Sequence, residues 1–130
     1  MLINRASLQP GDSILIVGAG SGVSTAAAAI GWRLGCRVLG TTSQQSKAEK
    51  ALKLGFEAVQ VGYERPFDEW VLEKTDGRGV DVVVDSVGAA TWRQSIRSLS
   101  RGGKLVICGA TSGWRPGSRV NWVALQDCRE

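Results

Sequence analysis

Residues 13–24 of this chain read SILIVGAGSGVS, a run of apolar residues that passes directly into a cluster of glycines. The apolar residues are continuous and do not alternate with polar ones, which is typical of a strand buried on both faces of a parallel sheet. Pro10 and Gly11 form a turn signal before the run. Small residues from Gly22 onward predict a helix that stops before Gly35. The stretch therefore predicts a strand, a glycine-rich loop and a helix in succession.

The same rhythm continues along most of the chain. We predict strands at Ser13–Gly18, Arg37–Thr41, Ala58–Val61, Asp81–Asp85 and Lys104–Cys108, and helices at Gly22–Leu34, Gln44–Leu54, Phe67–Lys74 and Ala89–Leu99. Strands that alternate with helices of this length indicate βαβ units. Right-handed crossovers then give a doubly wound parallel sheet of order 3-2-1-4-5, an α/β fold of the Rossmann type with three α/β/α layers. Beyond Gly113 the pattern is lost, and Arg119–Leu125 could form a sixth strand or remain irregular.

Composition limits the chemistry that the chain can perform. Its 130 residues allow one domain, and they include 16 Lys+Arg, 12 Asp+Glu and no histidine. Mechanisms that need an imidazole as base or as zinc ligand are therefore excluded unless a partner supplies it. The densest basic stretch, residues 93–104, suits a solvated helix face or a phosphate-binding face, and nucleic acid is not favoured.

Cysteine usage and hydropathy predict the compartment. Cys36, Cys108 and Cys128 are odd in number and far apart, as expected for small buried residues in a reducing environment. The chain has no leader-like apolar segment at its start and no apolar run of membrane-spanning length. We therefore expect a cytoplasmic chain that does not associate with a membrane.

The loop after the first predicted strand is a candidate phosphate site. A glycine-rich loop at a helix N-terminus can present backbone N–H groups to a pyrophosphate. The residues placed for this are Gly20, Ser21, Gly22, Val23 and Ser24. The string is not a P-loop and not a strict G-x-G-x-x-G, so a glycine turn without a ligand is the alternative interpretation.

The end of the second predicted strand bears on the choice of cofactor. Dinucleotide and S-adenosylmethionine sites usually have an acidic residue there, but the position is Thr42, and no carboxylate follows until Glu49. The hydroxyls, amides and one lysine of residues 42–47 suit a 2′-phosphate, which a carboxylate would repel. NADP(H) is therefore favoured over NAD(H) and over S-adenosylmethionine. A polar loop that only caps the next helix is the alternative.

Four blocks together resemble the medium-chain dehydrogenase/reductase superfamily, and within it the quinone oxidoreductase and zinc-binding dehydrogenase-like branches. The blocks are LQPGDSILIVGAGSGVSTAA, GTTSQQSKAEKALKLG, TDGRGVDVVVDSVGAATW and LSRGGKLVICGATSG, which occur in the order and spacing of that family. The resemblance covers residues 1–113. One departure is Ser24, which stands where the quinone oxidoreductase pattern has glycine.

The resemblance also implies roles for individual residues. The segment 19–24 would cradle the pyrophosphate, and Ser43, Lys47 and Tyr63 would contact the 2′-phosphate. Ser86, Val87, Gly109 and Ala110 match the positions that lie beside the nicotinamide ribose and amide in the family. No catalytic residue and no zinc ligand carries over. Asp81 and Asp85 are interpreted as structural carboxylates at the ends of a strand.

The resemblance finally implies an incomplete enzyme. Residues 1–113 correspond to the dinucleotide-binding domain and residues 114–130 to a tail, while the GroES-like substrate domain of the family is absent. The expected function is NADP(H) binding in an oxidoreductase, with a second copy or a separate catalytic domain as partner. A non-enzymatic interaction module is the main alternative, because some of the five tryptophans should be exposed. A methyltransferase is a weaker one.

Overall fold

A computed structural model describes residues 9–19, 22–62, 64–85, 91–108 and 122–126 of the chain, with side chains except at 22–24, 92, 107–108 and 122–126. The strands are β1 (Ser13–Val17), β2 (Arg37–Thr42), β3 (Ala58–Val61), β4 (Val80–Asp85), β5 (Leu99–Cys108) and β6 (Trp122–Gln126). The helices are α1 (Gly22–Arg33), α2 (Gln45–Lys53), α3 (Phe67–Lys74) and α4 (Trp92–Ser98).

The strands form one sheet in the order β3-β2-β1-β4-β5-β6. The first five are parallel, which confirms the predicted α/β class and the order 3-2-1-4-5. The sixth strand, which the sequence left open, is present and pairs antiparallel with β5, with Cys108 opposite Trp122.

Helices cover both faces of this sheet. Successive residues of a strand point to opposite faces, so Ile14 and Ile16 pack in one core with Ala27 of α1 and Ala51 of α2. The second core lies on the other face, where Leu15 and Val17 pack with residues of α3 and α4, among them Phe67, Val71 and Ile96. The side chains of β1 are fully buried apart from Ser13, which is 4% exposed. The three predicted layers are therefore present.

The boundary between α4 and β5 differs from the prediction. We expected the helix to include Leu99 and the strand to begin at Lys104, but α4 ends at Ser98 and β5 begins at Leu99. Leu99 has extended backbone angles, pairs with Val80 and has a fully buried side chain. Tertiary burial of this leucine thus outweighs the helical pattern of the preceding residues. The register then shifts, so that Lys104 pairs with Val82.

Glycines make this register shift possible. Gly79 has φ +85°, and a Cβ placed on it would lie 2.7 Å from the carbonyl carbon of Leu99 and 2.8 Å from the amide nitrogen of Ser100. A Cβ on Gly103 would lie 2.9 Å from the carbonyl oxygen of Ser100. The backbones of β4 and β5 therefore approach each other here as only glycine allows.

Exposed apolar side chains are few in the described part of the chain. Trp32 is 62% exposed and lies over Gly55, whereas Trp70 is 9% exposed and belongs to the second core. The expectation that some tryptophans are exposed is met at Trp32. Trp114 and the side chains of Trp92 and Trp122 lie outside the description. No helix among the described residues is long and apolar enough to span a membrane.

The close backbone approach at Gly79 predicts the result of one substitution. Gly79→Ala forces alanine into the left-handed region of backbone angles and places its Cβ against the backbone of Leu99 and Ser100. The free energy of unfolding should therefore fall by about 3 kcal/mol or more. Gly77→Ala is the matched control, because Gly77 has φ +83° but no atom within 4 Å of a new Cβ. Its cost should be only about 1–2 kcal/mol. Urea denaturation measures both variants, and equal losses would contradict the packing argument.

Candidate functional site

The carboxyl ends of four parallel strands meet at one edge of the sheet. Val17 pairs with Thr41 on one side and with Asp85 on the other, and Thr42 pairs with Val61. The chain reverses its direction across the sheet between β1 and β4, since β2 and β3 lie on one side of β1 and β4 to β6 on the other. Ligands of open α/β sheets bind outside the carboxyl ends at such a switch point.

The loop after β1 begins with two backbone hydrogen bonds to the neighbouring strand. The N–H groups of Gly18 and Ala19 both donate to the carbonyl oxygen of Thr41, at 3.1 and 2.7 Å. Gly18 has φ +87°, which turns the chain out of the strand. Gly22 begins α1 and Val23 and Ser24 follow in its first turn. Gly20 and Ser21 lie outside the described residues.

Two glycines that the sequence analysis did not single out allow close packing against the first two strands. A Cβ on Gly31 would lie 2.5 Å from Cδ1 of Ile14, so α1 packs closely against β1 at this residue. A Cβ on Gly40 would lie 2.6 Å from the ring of Phe56 and 3.2 Å from Cβ of Ala19. A glycine inside a helix or strand usually has such a packing reason, and this is the signal that could have identified both.

Three predicted site residues lie at the turn after β2, and one of them is buried while the other two are exposed. Thr42 is 3% exposed, its Oγ1 accepts a hydrogen bond from the Gln44 amide at 3.3 Å, and its carbonyl accepts one from Gly62 at 2.8 Å. Ser43 and Lys47 are exposed, the latter in the first turn of α2. Residues 42–48 contain no carboxylate. Hydroxyl and ammonium donors are therefore presented to solvent where β2 ends.

The turn after β3 is organised by Gln60. Its Nε2 donates to the carbonyl oxygens of Gly62 at 3.4 Å and of Arg65 at 2.7 Å, across the position of Tyr63. Arg65 forms an ion pair with Glu73 at 2.5 Å, and this hydrogen bond lowers the pKa of the Glu73 carboxyl. The Arg65 side chain thus lies along α3. Sequence reasoning missed Gln60, and Tyr63 itself lies outside the described residues.

The end of β4 carries a buried carboxylate. Asp85 is fully buried, and its Oδ2 accepts hydrogen bonds from Thr91 Oγ1 at 2.6 Å and from Ser95 Oγ at 2.8 Å. At the other end of β4, the carboxylate of Asp81 accepts hydrogen bonds from the Ser13 amide and from Arg78. These contacts suit the structural interpretation of both carboxylates. Asp85 holds the start of α4 against the sheet.

The remaining predicted site residues cannot be placed. Ser86, Val87, Gly109 and Ala110 lie outside the described residues.

Where the structure describes the chain, no group of three His, Cys, Asp or Glu side chains is placed so that it could hold a metal ion. Cys36 is free and buried, and burial raises the pKa of its thiol.

Comparison with known proteins shows the family of the chain. The sequence profile of the family described as zinc-binding dehydrogenase matches residues 22–125. The chain is 39% identical over 113 residues to a 2-haloacrylate reductase of a Burkholderia species, covering 87% of this chain and 34% of the relative. It is 37% identical over 113 residues to quinone oxidoreductase 1 of Escherichia coli K12, covering 87% and 35%.

A solved structure extends the comparison to the fold. The mycobacterial protein Rv1454c complexed with NADPH superposes with a TM-score of 0.83 at 34% identity, over 90% of this chain and 37% of that one. The chain thus spans about a third of the length of these relatives.

The buried hydrogen bonds of Asp85 predict a difference between two serines of α4. Both Ser95 and Ser98 are fully buried, but Ser98 Oγ donates within its own helix to the Gln94 carbonyl. Ser95→Ala removes a donor from a buried carboxylate and should lower the free energy of unfolding by about 1–3 kcal/mol. Ser98→Ala should cost less than about 1 kcal/mol, because a bond of this kind adds little to a helix. Urea denaturation at pH 7 measures the free energy of unfolding of both variants. A larger loss for Ser98→Ala than for Ser95→Ala would contradict the role of Asp85.

Proposed function

Because the chain belongs to the zinc-binding dehydrogenase family of medium-chain dehydrogenases/reductases, we propose that it binds NADP(H) at the carboxyl edge of its parallel sheet. The observation that carries the proposal is the end of β2, where exposed Ser43 and Lys47 occur without a carboxylate. The relative complexed with NADPH supports a nicotinamide dinucleotide as the ligand class.

The pyrophosphate is proposed to lie at the first turn of α1. The unpaired N–H groups at a helix N-terminus and the helix dipole both favour an anion. The hydrogen bonds from Gly18 and Ala19 to Thr41 fix where the loop leaves the strand. Gly20, Ser21, Gly22, Val23 and Ser24 are the proposed contacts.

The 2′-phosphate is proposed to bind between Ser43 and Lys47. A lysine attracts a phosphate as a point charge, and a serine hydroxyl donates one hydrogen bond to it. Thr42 is proposed to shape this subsite, since its hydroxyl oxygen already accepts a bond from the turn. Tyr63 is proposed to complete the subsite from the turn that Gln60 organises.

The remaining proposed contacts surround the nicotinamide. Ser86 and Val87 follow β4, and Gly109 and Ala110 follow β5, so these four residues continue from the carboxyl ends of the two strands. The bound nicotinamide supplies or accepts a hydride. We assign no catalytic residue to this chain. Since it spans about a third of the length of the 2-haloacrylate reductase and of quinone oxidoreductase 1, we propose that the contacts to the substrate come from a domain or partner outside it.

Ligand-induced stabilisation tests the proposed cofactor class. NADPH at about 100 times its dissociation constant should stabilise the chain by about 2.7 kcal/mol and raise Tm by several degrees. NADH should give a smaller shift at the same concentration, and S-adenosylmethionine should give none. Thermal unfolding with each ligand added separately is the measurement. The proposal is wrong if neither nicotinamide dinucleotide raises Tm, and a shift with S-adenosylmethionine alone would favour a methyltransferase.

The role of Lys47 has its own test. Lys47→Ala should weaken NADPH binding about tenfold, since one ion pair to the 2′-phosphate is lost, and should leave NADH binding nearly unchanged. Lys50→Ala is the matched control, because Lys50 is an exposed lysine on the same helix. Isothermal titration calorimetry measures both affinities. Equal losses for the two cofactors, or the same loss in the control, would show that Lys47 does not contact the 2′-phosphate.

A further inference from the structure

A cleft of about 300 Å³ separates the start of α3 from α4, outside the loops proposed to hold the dinucleotide. Acidic residues line one wall and basic residues the other. The lining residues are Pro66, Asp68, Glu69, Arg93, Gln94 and Arg97. Gln94 joins the two walls, because its Oε1 accepts a hydrogen bond from the Phe67 amide at 2.9 Å. This hydrogen bond links the two helices at the cleft.

Asp68 is the unusual residue of this cleft. It is only 8% exposed, and its Oδ1 is buried without a hydrogen-bond partner among the residues that the structure describes. None of the ion pairs among the described residues includes it. A buried carboxylate oxygen without a donor is costly, and such groups in native proteins are usually satisfied. Among the described residues the Asp68 carboxylate thus lacks the compensation that a buried charge usually has, and a positive group in the cleft would supply it.

The opposite wall restricts which donor fits. Arg93 is exposed and lines the cleft together with Arg97. A simple cation on Asp68 would be repelled by these guanidinium groups, and a simple anion on Arg93 would be repelled by Asp68 and Glu69. A molecule with a positive group at one end and a negative group at the other matches both walls. The volume of the cleft is at the lower end of small-molecule sites.

We propose that this cleft binds a small zwitterion whose ammonium group donates to Asp68 and whose anionic group pairs with Arg93. The site is separate from the dinucleotide subsites of Ser43 and Lys47. It nevertheless flanks the same edge of the sheet, since α3 and α4 follow β3 and β4.

Binding of 4-aminobutyrate to the full chain without dinucleotide tests the proposal. Two single-charge compounds of the same length, butyrate and butylammonium, serve as ligand controls. We expect 4-aminobutyrate to bind at least about tenfold more tightly than either, because each control leaves one wall unpaired. Calorimetric titration at pH 7 and amide chemical shifts at the start of α3 and in α4 are the measurements.

Variants assign the two charges to their residues. Asp68→Asn and Arg93→Gln should each weaken 4-aminobutyrate binding about tenfold, whereas Glu49→Gln and Arg101→Gln, at exposed positions elsewhere, should not change it. Lys47→Ala should also leave it unchanged, which separates this proposal from the cofactor proposal. The zwitterion proposal is overturned if the three compounds bind alike or not at all. It is also overturned if Asp68→Asn, shown to be folded by its unfolding transition, binds 4-aminobutyrate as the native chain does.

Discussion

Burial of β1 on both faces is the constraint on which the rest of the structure depends. The side chains of Ile14, Leu15, Ile16 and Val17 are all fully buried, so both faces of β1 must be covered by other parts of the chain. Its two hydrogen-bonding edges are taken by β2 and β4. Because both pairings are parallel, the loops after β1, β2 and β4 leave the sheet at one edge. The candidate site is therefore a consequence of how one apolar strand is covered.

Small residues allow the helices and loops to pack closely against the sheet. Gly31 lets α1 approach β1, and Gly40 leaves room for Phe56 beside Ala19. Polar side chains then fix the loops around this edge. Gln60 donates to two carbonyls after β3, and Asp85 accepts two hydroxyl hydrogen bonds after β4. Packing brings the loops together, and buried hydrogen bonds hold them in place.

The sequence predicted most of the fold because its signals were local. The continuous apolar runs identified the parallel strands, and Gly35 and Gly55, both with positive φ, marked the ends of helices. The start of β5 could not be predicted this way. Leu99 continues the helical pattern in sequence, and only its pairing with Val80 and its burial place it in the strand.

The polar character of the candidate site could be predicted from the sequence, but the contacts between elements that hold its loops in place could not. The missing carboxylate at Thr42 is readable from the sequence, whereas the proposed roles of Ser43 and Lys47 come from the resemblance to the family. The contact of Asp85 with Thr91 and Ser95, and the unpartnered Oδ1 of Asp68, depend on how α4 and α3 lie on the sheet. Such contacts between elements leave no periodic pattern in the sequence.

The carboxyl edge of the sheet is the proposed dinucleotide site, and amide hydrogen exchange of the full chain with and without NADPH measures whether the ligand binds there. Binding at this edge should slow exchange at the start of α1 and in the turn between β2 and α2, with no change at the amino ends of the strands. Protection confined to other surfaces, or none at saturating NADPH, would contradict it.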